Sequence, residues 1–113
     1  MKVLVCGGRD FNNKEAVQSV LDNLYKSRDL SLIIHGGARG ADKLAGEWAH
    51  KVGIACAEYK ANWDFYKKAA GPIRNGWMLQ FGEPDLVVAF PGGDGTADMV
   101  RSARKRMIEV LEL

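Results

Sequence analysis

The chain has 113 residues, 47% hydrophobic and 27% charged, which fits one globular domain spanning residues 1–113 and excludes disordered and fibrous classes. Sixteen Lys and Arg against fourteen Asp and Glu leave a formal charge of +2, too small to argue for a nucleic-acid partner by itself. Two cysteines, Cys6 and Cys56, are too few for a disulfide scaffold and suit a reducing cytoplasm, and no apolar run nears the roughly 20 residues of a membrane helix or forms a signal peptide.

In chain order, Lys2 to Cys6 reads as a short apolar strand ending at Gly7-Gly8. Ala16, Val17, Val20, Leu21 and Leu24 then mark one face of a helix from about Lys14 to Lys26. A second strand, Leu30 to His35, stops at Gly36-Gly37, and Ala41, Leu44, Ala45, Trp48, Ala49 and Val52 form a second helical face closed by Gly53. Gly53 to Tyr59 is a weaker strand, and Lys60 to Ala70 reads as either a short helix or a packed loop. Pro72 suits the first position of a third helix, with Ile73, Trp77, Met78 and Phe81 inward as far as Gly82. Asp85 to Phe90 is a strand ending at Pro91-Gly92-Gly93; Ala97, Val100, Ala103 and Met107 mark the last helix, and Met107 to Leu111 a final weak strand.

Apolar runs alternating with helical patterns predict an α/β fold: a single Rossmann-like three-layer domain, with a parallel sheet of about five strands flanked by helices. In such a sheet every strand-to-helix turn emerges on one edge, and ligands bind there where the strand order reverses. The glycine-rich turns are therefore expected to converge.

The first turn, Gly7-Gly8-Arg9-Asp10, offers backbone N–H groups and a guanidinium to an anion, or is a tight turn with a surface arginine. The second, Gly36-Gly37-Ala38-Arg39-Gly40-Ala41-Asp42, repeats the theme; Asp42 either complements a helix dipole or holds a ligand hydroxyl, and His35 reads as a core histidine. In the third, Pro91-Gly92-Gly93-Asp94-Gly95-Thr96, three glycines lie within four positions, more than a simple turn needs, and Thr96 either binds phosphate or caps the helix. Arg74 and Asn75, placed in the first turn of the third helix, oppose its dipole unless an anionic or polar partner is present. No Walker or dinucleotide fingerprint is present, and Cys6, His35, His50 and Cys56 lack metal-ligand spacing, so neither a metal nor a cofactor is expected.

Together, Cys-Gly-Gly-Arg-Asp-Phe at 6–11, Gly-Gly-Ala-Arg-Gly-Ala-Asp at 36–42, Gly-Pro-Ile-Arg-Asn at 71–75 and Pro-Gly-Gly-Asp-Gly-Thr-Ala-Asp-Met-Val at 91–100 resemble the SLOG superfamily. This Rossmann-like group includes the LOG phosphoribohydrolases and the DNA-processing Smf/DprA proteins; the nearest likeness is to its short YspA- and cpYpsA-related branch. The resemblance implies a nucleotide-derived ligand, sensed or sequestered, with phosphate on the glycine turns and ribose or base read by Asp42, Arg74 and Asn75. LOG members carry Pro-Gly-Gly-x-Gly-Thr-x-x-Glu and cleave the N-glycosidic bond of nucleoside monophosphates. Here Pro91, Gly92, Gly93, Gly95 and Thr96 match, but Met99 stands where the glutamate belongs. Asp98, one position earlier, points about 100° away on a helix. The primary expectation is accordingly ligand binding. The alternative is hydrolysis, with Asp98, Asp94 or Asp10 as carboxylate and Arg74 as electrophile.

Single-stranded nucleic acid is a third and disfavoured reading, resting on Arg101, Arg104, Lys105 and Arg106 and on stacking by Trp63 and Phe65, where a solvated helix end favoured by the dipole explains the charges better. Trp48, Trp77 and Phe81 are more large aromatics than so small a core comfortably holds, which predicts a homodimer or tetramer. Cys6 reads as a small buried core residue.

Overall fold

The computed structural model describes all residues from Met1 to Leu113. Strands β1 (Lys2–Cys6), β2 (Leu32–His35), β3 (Ala55–Glu58), β4 (Leu86–Ala89) and β5 (Glu109–Glu112) form one sheet in the order β3-β2-β1-β4-β5. Every pairing is parallel, with Val3 opposite both Ile33 and Leu86. Because side chains alternate along a strand, β1 serves two layers at once. Val3 and Val5 pack with Val17, Leu21 and Trp48, while Leu4 and Cys6 pack with Met78, Leu79, Met99 and Val100. The first group comes from α1 (Lys14–Ser27) and α2 (Ala41–Val52), the second from α4 (Ala70–Gly82) and α5 (Asp94–Lys105). This is the expected three-layer α/β arrangement. No helix is long and apolar enough to cross a membrane.

Local signals account for most boundaries. Asn13 opens α1 by accepting a hydrogen bond from the Ala16 N–H at 3.1 Å, and Gly53 closes α2 in the left-handed conformation. The edge strands β3 and β5 are largely exposed, which is why their sequence patterns are weak.

One open alternative is settled and several expectations are corrected. Residues 60–70 contain a short helix, α3 (Trp63–Tyr66), and a 3-10 turn (Lys67–Ala69) running straight into α4. The third long helix thus starts at Ala70, with Pro72 in its third position. Proline is accepted there because the first N–H groups of a helix have no intrahelical acceptor. Arg74 and Asn75 consequently lie beyond the first turn, where the dipole argument loses force. The inward face of α4 is Ala70, Gly71, Asn75, Met78, Leu79 and Gly82, rather than Ile73, Trp77 and Phe81. Apart from Arg74 the helix has no charged residue, so its periodicity singles out no solvent face. The last helix starts at Asp94 and turns Met99, Val100 and Ala103 inward, leaving Ala97 exposed and Met107 in a following turn. Trp48 is a core residue, its indole N–H donating to Asp22 Oδ1 at 2.8 Å, and needs no partner chain to shelter it.

Candidate functional site

The strand order reverses at β1: β2 lies on one side of it and β4 on the other. The turn after β1 is therefore wedged between the other two glycine turns. Gly8 donates its N–H to the Pro91 carbonyl at 2.9 Å, and Ala41 donates to the Gly8 carbonyl at 3.3 Å. Gly92 makes the first seam possible. A β-carbon there would collide with the Thr96 hydroxyl and stand only 2.7 Å from the Gly8 nitrogen. All three turns meet at one edge, as the fold class requires.

A cleft of about 650 Å³ opens at that edge between the first and third turns, α4 and Trp63. Its volume falls in the usual range for small-molecule sites. Of the expected ligand residues, Gly7, Gly8, Arg9, Asp42, Arg74, Asn75, Gly93, Gly95 and Thr96 line it, together with Asp98 and Asp94. Asp10 and Arg39 instead form an exposed ion pair at 3.4 Å outside the cleft. Pro91 and Gly92 line a neighbouring groove that shares Gly93, Thr96 and Arg101 with the cleft and continues to Arg104 and Lys105.

In the second turn the N–H groups of Gly36, Gly37 and Ala38 are already engaged. Asp42 Oδ2 accepts the N–H groups of Gly36 and Ala38 at 2.9 and 3.3 Å, and His35 Nδ1 accepts that of Gly37 at 3.0 Å. Burial of Asp42 raises its pKa, against the hydrogen bond from Ala38, the nearby His35 and Arg74, and the hydrogen bond from Gly36. Gly36 matters for a different reason: a β-carbon would run into the Arg74 guanidinium, which donates from Nη1 to the Gly36 carbonyl at 2.6 Å.

The third turn leaves its donors open. Gly93 precedes α5 without a side-chain cap, and the N–H groups of Asp94, Gly95 and Thr96 have no acceptor within the protein. Thr96 sits in the third helical position, so it does not cap the helix.

Arg74 and Asn75 organise the opposite wall. Asn75 is buried and bridges α4 to α5: its amide donates to the Gly95 carbonyl at 3.2 Å and to Asp98 Oδ2 at 3.1 Å. Its own carbonyl accepts from Arg74 Nε at 3.1 Å. Asp98 also meets Arg101 at 3.5 Å. Met99 lies wholly in the core, so the carboxylate reaching the cleft belongs to Asp98. Sequence reasoning separates these two residues and names Asp98 and Asp94 as candidate carboxylates; both line the cleft, whereas Asp10 does not.

The cations of the cleft are underpaired. Arg9, Lys68 and Arg74 have no carboxylate within 4.0 Å, and only two of the five guanidinium N–H groups of Arg74 are spent, on Gly36 and Asn75. Burial lowers the pKa of Arg74, Asp42 opposes the shift, and the like charge of Arg9 adds to it. Cys6 is buried beneath the first turn, and burial pushes its thiol up to about 12, with Asp42 and Glu112 adding to the shift, which makes it a packing residue. No three His, Cys, Asp or Glu side chains are grouped to hold a metal ion. Lys68 belongs to no motif, and only its place after the Asn62-capped turn of α3 brings it to the cleft.

The model of the YspA, cpYpsA-related SLOG family matches residues 1–66. Gene 61 protein of Mycobacterium phage D29 is 35% identical over 118 residues, covering 97% of this chain and 94% of that protein. Among solved structures, DNA processing protein A (DprA) from Streptococcus pneumoniae superposes with a TM-score of 0.62 at 20% identity. That superposition takes in 97% of this chain and 58% of the DprA chain, a likeness of fold.

Proposed function

The chain belongs to the YspA, cpYpsA-related SLOG family, and from that premise we propose that it binds a nucleotide-derived, phosphate-containing ligand at the carboxyl edge of its sheet. Membership and fold point to nucleotide- or nucleic-acid-related work; the finer reading rests on the cleft. One observation carries it: the unpaired guanidinium groups of Arg9 and Arg74 line the same cleft as the uncapped start of α5. A phosphate would satisfy both, as charge-assisted acceptor and as partner of the helix dipole. Asn75, whose amide hydrogens are already engaged, positions Arg74 and Asp98 rather than reading the ligand directly. We place the protein in the cytoplasm, where free Cys6 and Cys56 stay reduced.

The test is calorimetric titration with adenosine 5′-monophosphate and with inorganic phosphate. Binding that weakens at least tenfold in Arg74→Gln is expected; affinity untouched by that change would refute the reading.

Asp98 supports a second reading, cleavage of the N-glycosidic bond. Its carboxylate, held by Asn75 and Arg101 on the cleft wall, would stabilise an oxocarbenium-like state or take a proton from water as the water attacks the sugar and the base departs. Incubation with nucleoside monophosphates should then release free base, and Asp98→Asn should abolish the release. Absence of free base with intact binding would leave ligand capture as the function.

A further inference from the structure

Apart from Arg74, which lines the cleft, α4 has no charged side chain, and its outer side is largely apolar. Ile73, Trp77 and Phe81 recur every four residues there, while Asn75, Met78, Leu79 and Gly82 turn inward. Tyr66 of α3 meets Trp77 edge to face at 6.0 Å, and Phe65 meets Tyr66 at 4.8 Å. These side chains make one stripe across two helices, and nothing in the chain covers its ends: Phe65 is 74% exposed and Phe81 64%. At about 200 Å² per phenylalanine, the two alone leave about 250 Å² bare. That is roughly a third of what one partner gives to a standard interface. Single exposed aromatics are ordinary surface; a connected stripe marks a contact site.

We propose that this stripe is the contact face of a homodimer in which α4 of one copy runs antiparallel to α4 of the other across a two-fold axis. The charges at its two ends select a second copy over a foreign protein. Before α4, exposed Lys67 and Lys68 outnumber Asp64; after it come exposed Glu83 and Asp85. Lys2 meets Glu83 at 3.8 Å and offsets one of these two carboxylates, which leaves that end net negative, with the Glu83 side chain 75% exposed. A two-fold axis through the middle of α4 sets the basic end of each copy against the acidic end of the other. The face is therefore complementary to itself. No like charges meet at its centre, and antiparallel helices bring opposite dipole ends together. The contact is independent of what the cleft holds, because neither Phe65 nor Phe81 lines the cleft.

The experiment is sedimentation across a concentration series of the wild type, Phe65→Glu, Tyr25→Glu, Glu83→Lys and the double variant Lys67→Glu with Glu83→Lys. The wild type is expected at no less than twice the chain mass of 12.4 kDa at micromolar concentration. Phe65→Glu should raise the dissociation constant at least tenfold, the effect of burying a charge in an apolar contact. Tyr25→Glu, on α1 behind the sheet, should leave it unchanged. Glu83→Lys should weaken association about threefold, as expected for a rim charge, and adding Lys67→Glu should recover it. A monomeric wild type, a dimer indifferent to Phe65→Glu, or one weakened as much by Tyr25→Glu overturns the contact face. No weakening by Glu83→Lys, or no recovery in the double variant, overturns the antiparallel pairing.

Discussion

Asn75→Ala removes the one side chain that ties α4 to both the start of α5 and the Asp98 carboxylate. Three hydrogen bonds disappear, at 3.1, 3.1 and 3.2 Å, and two of them join charged partners, Arg74 and Asp98. A net value near 1 kcal/mol for the neutral bond and about 1.5 kcal/mol or more for each charge-assisted one gives about 4 kcal/mol if nothing replaces them. Arg74 and Asp98 line an open cleft, so water recovers part of that, and about 2–3 kcal/mol is the expected loss. At roughly 4 °C per kcal/mol for a domain of this length, the melting temperature should fall by about 10 °C. Urea unfolding followed by circular dichroism measures the free energy directly, and calorimetry on the folded variant should show weakened binding because Arg74 loses its orientation. A loss below about 0.5 kcal/mol with unchanged affinity would mean that the bridge neither stabilises the domain nor sets the site, and would refute the positioning role.

Three further outcomes follow from the same geometry. Gly92→Ala should cost about 2 kcal/mol and weaken ligand binding, since its β-carbon meets Thr96 and the Gly8 nitrogen, whereas Gly76→Ala in α4, with open space at its β-carbon, should stabilise by about 0.5–1 kcal/mol; urea melts of the pair check the contrast. Burial holds the pKa of His35 below its usual 6.5, against Asp42 and Glu58 and with Arg74 adding to the lowering, so the unfolded chain takes up this proton first on acidification. The contribution is complete above pH 6.5 and is lost as pH falls below it; the stability difference between pH 7.5 and 5.5 should shrink in His35→Gln, and an undiminished difference would clear His35 of the effect. Phe81, 64% exposed on the outer side of α4, is the residue we expect at a contact between copies, so sedimentation should give a dimer or tetramer that Phe81→Glu dissociates, and a wild-type mass near 12 kDa at micromolar concentration would refute it.

The architecture was legible because its signals are local. Apolar runs ending in paired glycines mark β1, β2 and β4, and a parallel sheet then brings the turns to one edge without further information. Helix α4 was less legible because proline fits several first-turn positions and because its apolar residues surround the axis. Which amides of the glycine turns remain open was not legible at all. Gly36 and Gly37 look like donors to an anion in sequence, yet Asp42 and His35 use their N–H groups, an accounting that depends on side chains one turn away in space.

Asp98 and Met99 show where periodicity stops and packing begins. A helix separates neighbours by about 100°, so Asp98 and Met99 face different surroundings. The inward face is chosen by the apolar set: Met99, Val100 and Ala103 press on the sheet beside Leu4, Val87 and Ala89. With that face taken, Asp98 falls on the side toward α4, where Asn75 and the cleft await it. The motif's missing glutamate therefore leaves the cleft with a carboxylate after all, displaced by one residue along α5. Whether that carboxylate acts on a sugar or only orders Asn75 and Arg101 is a question of chemistry, and release of free base by the wild type but not by Asp98→Asn decides it.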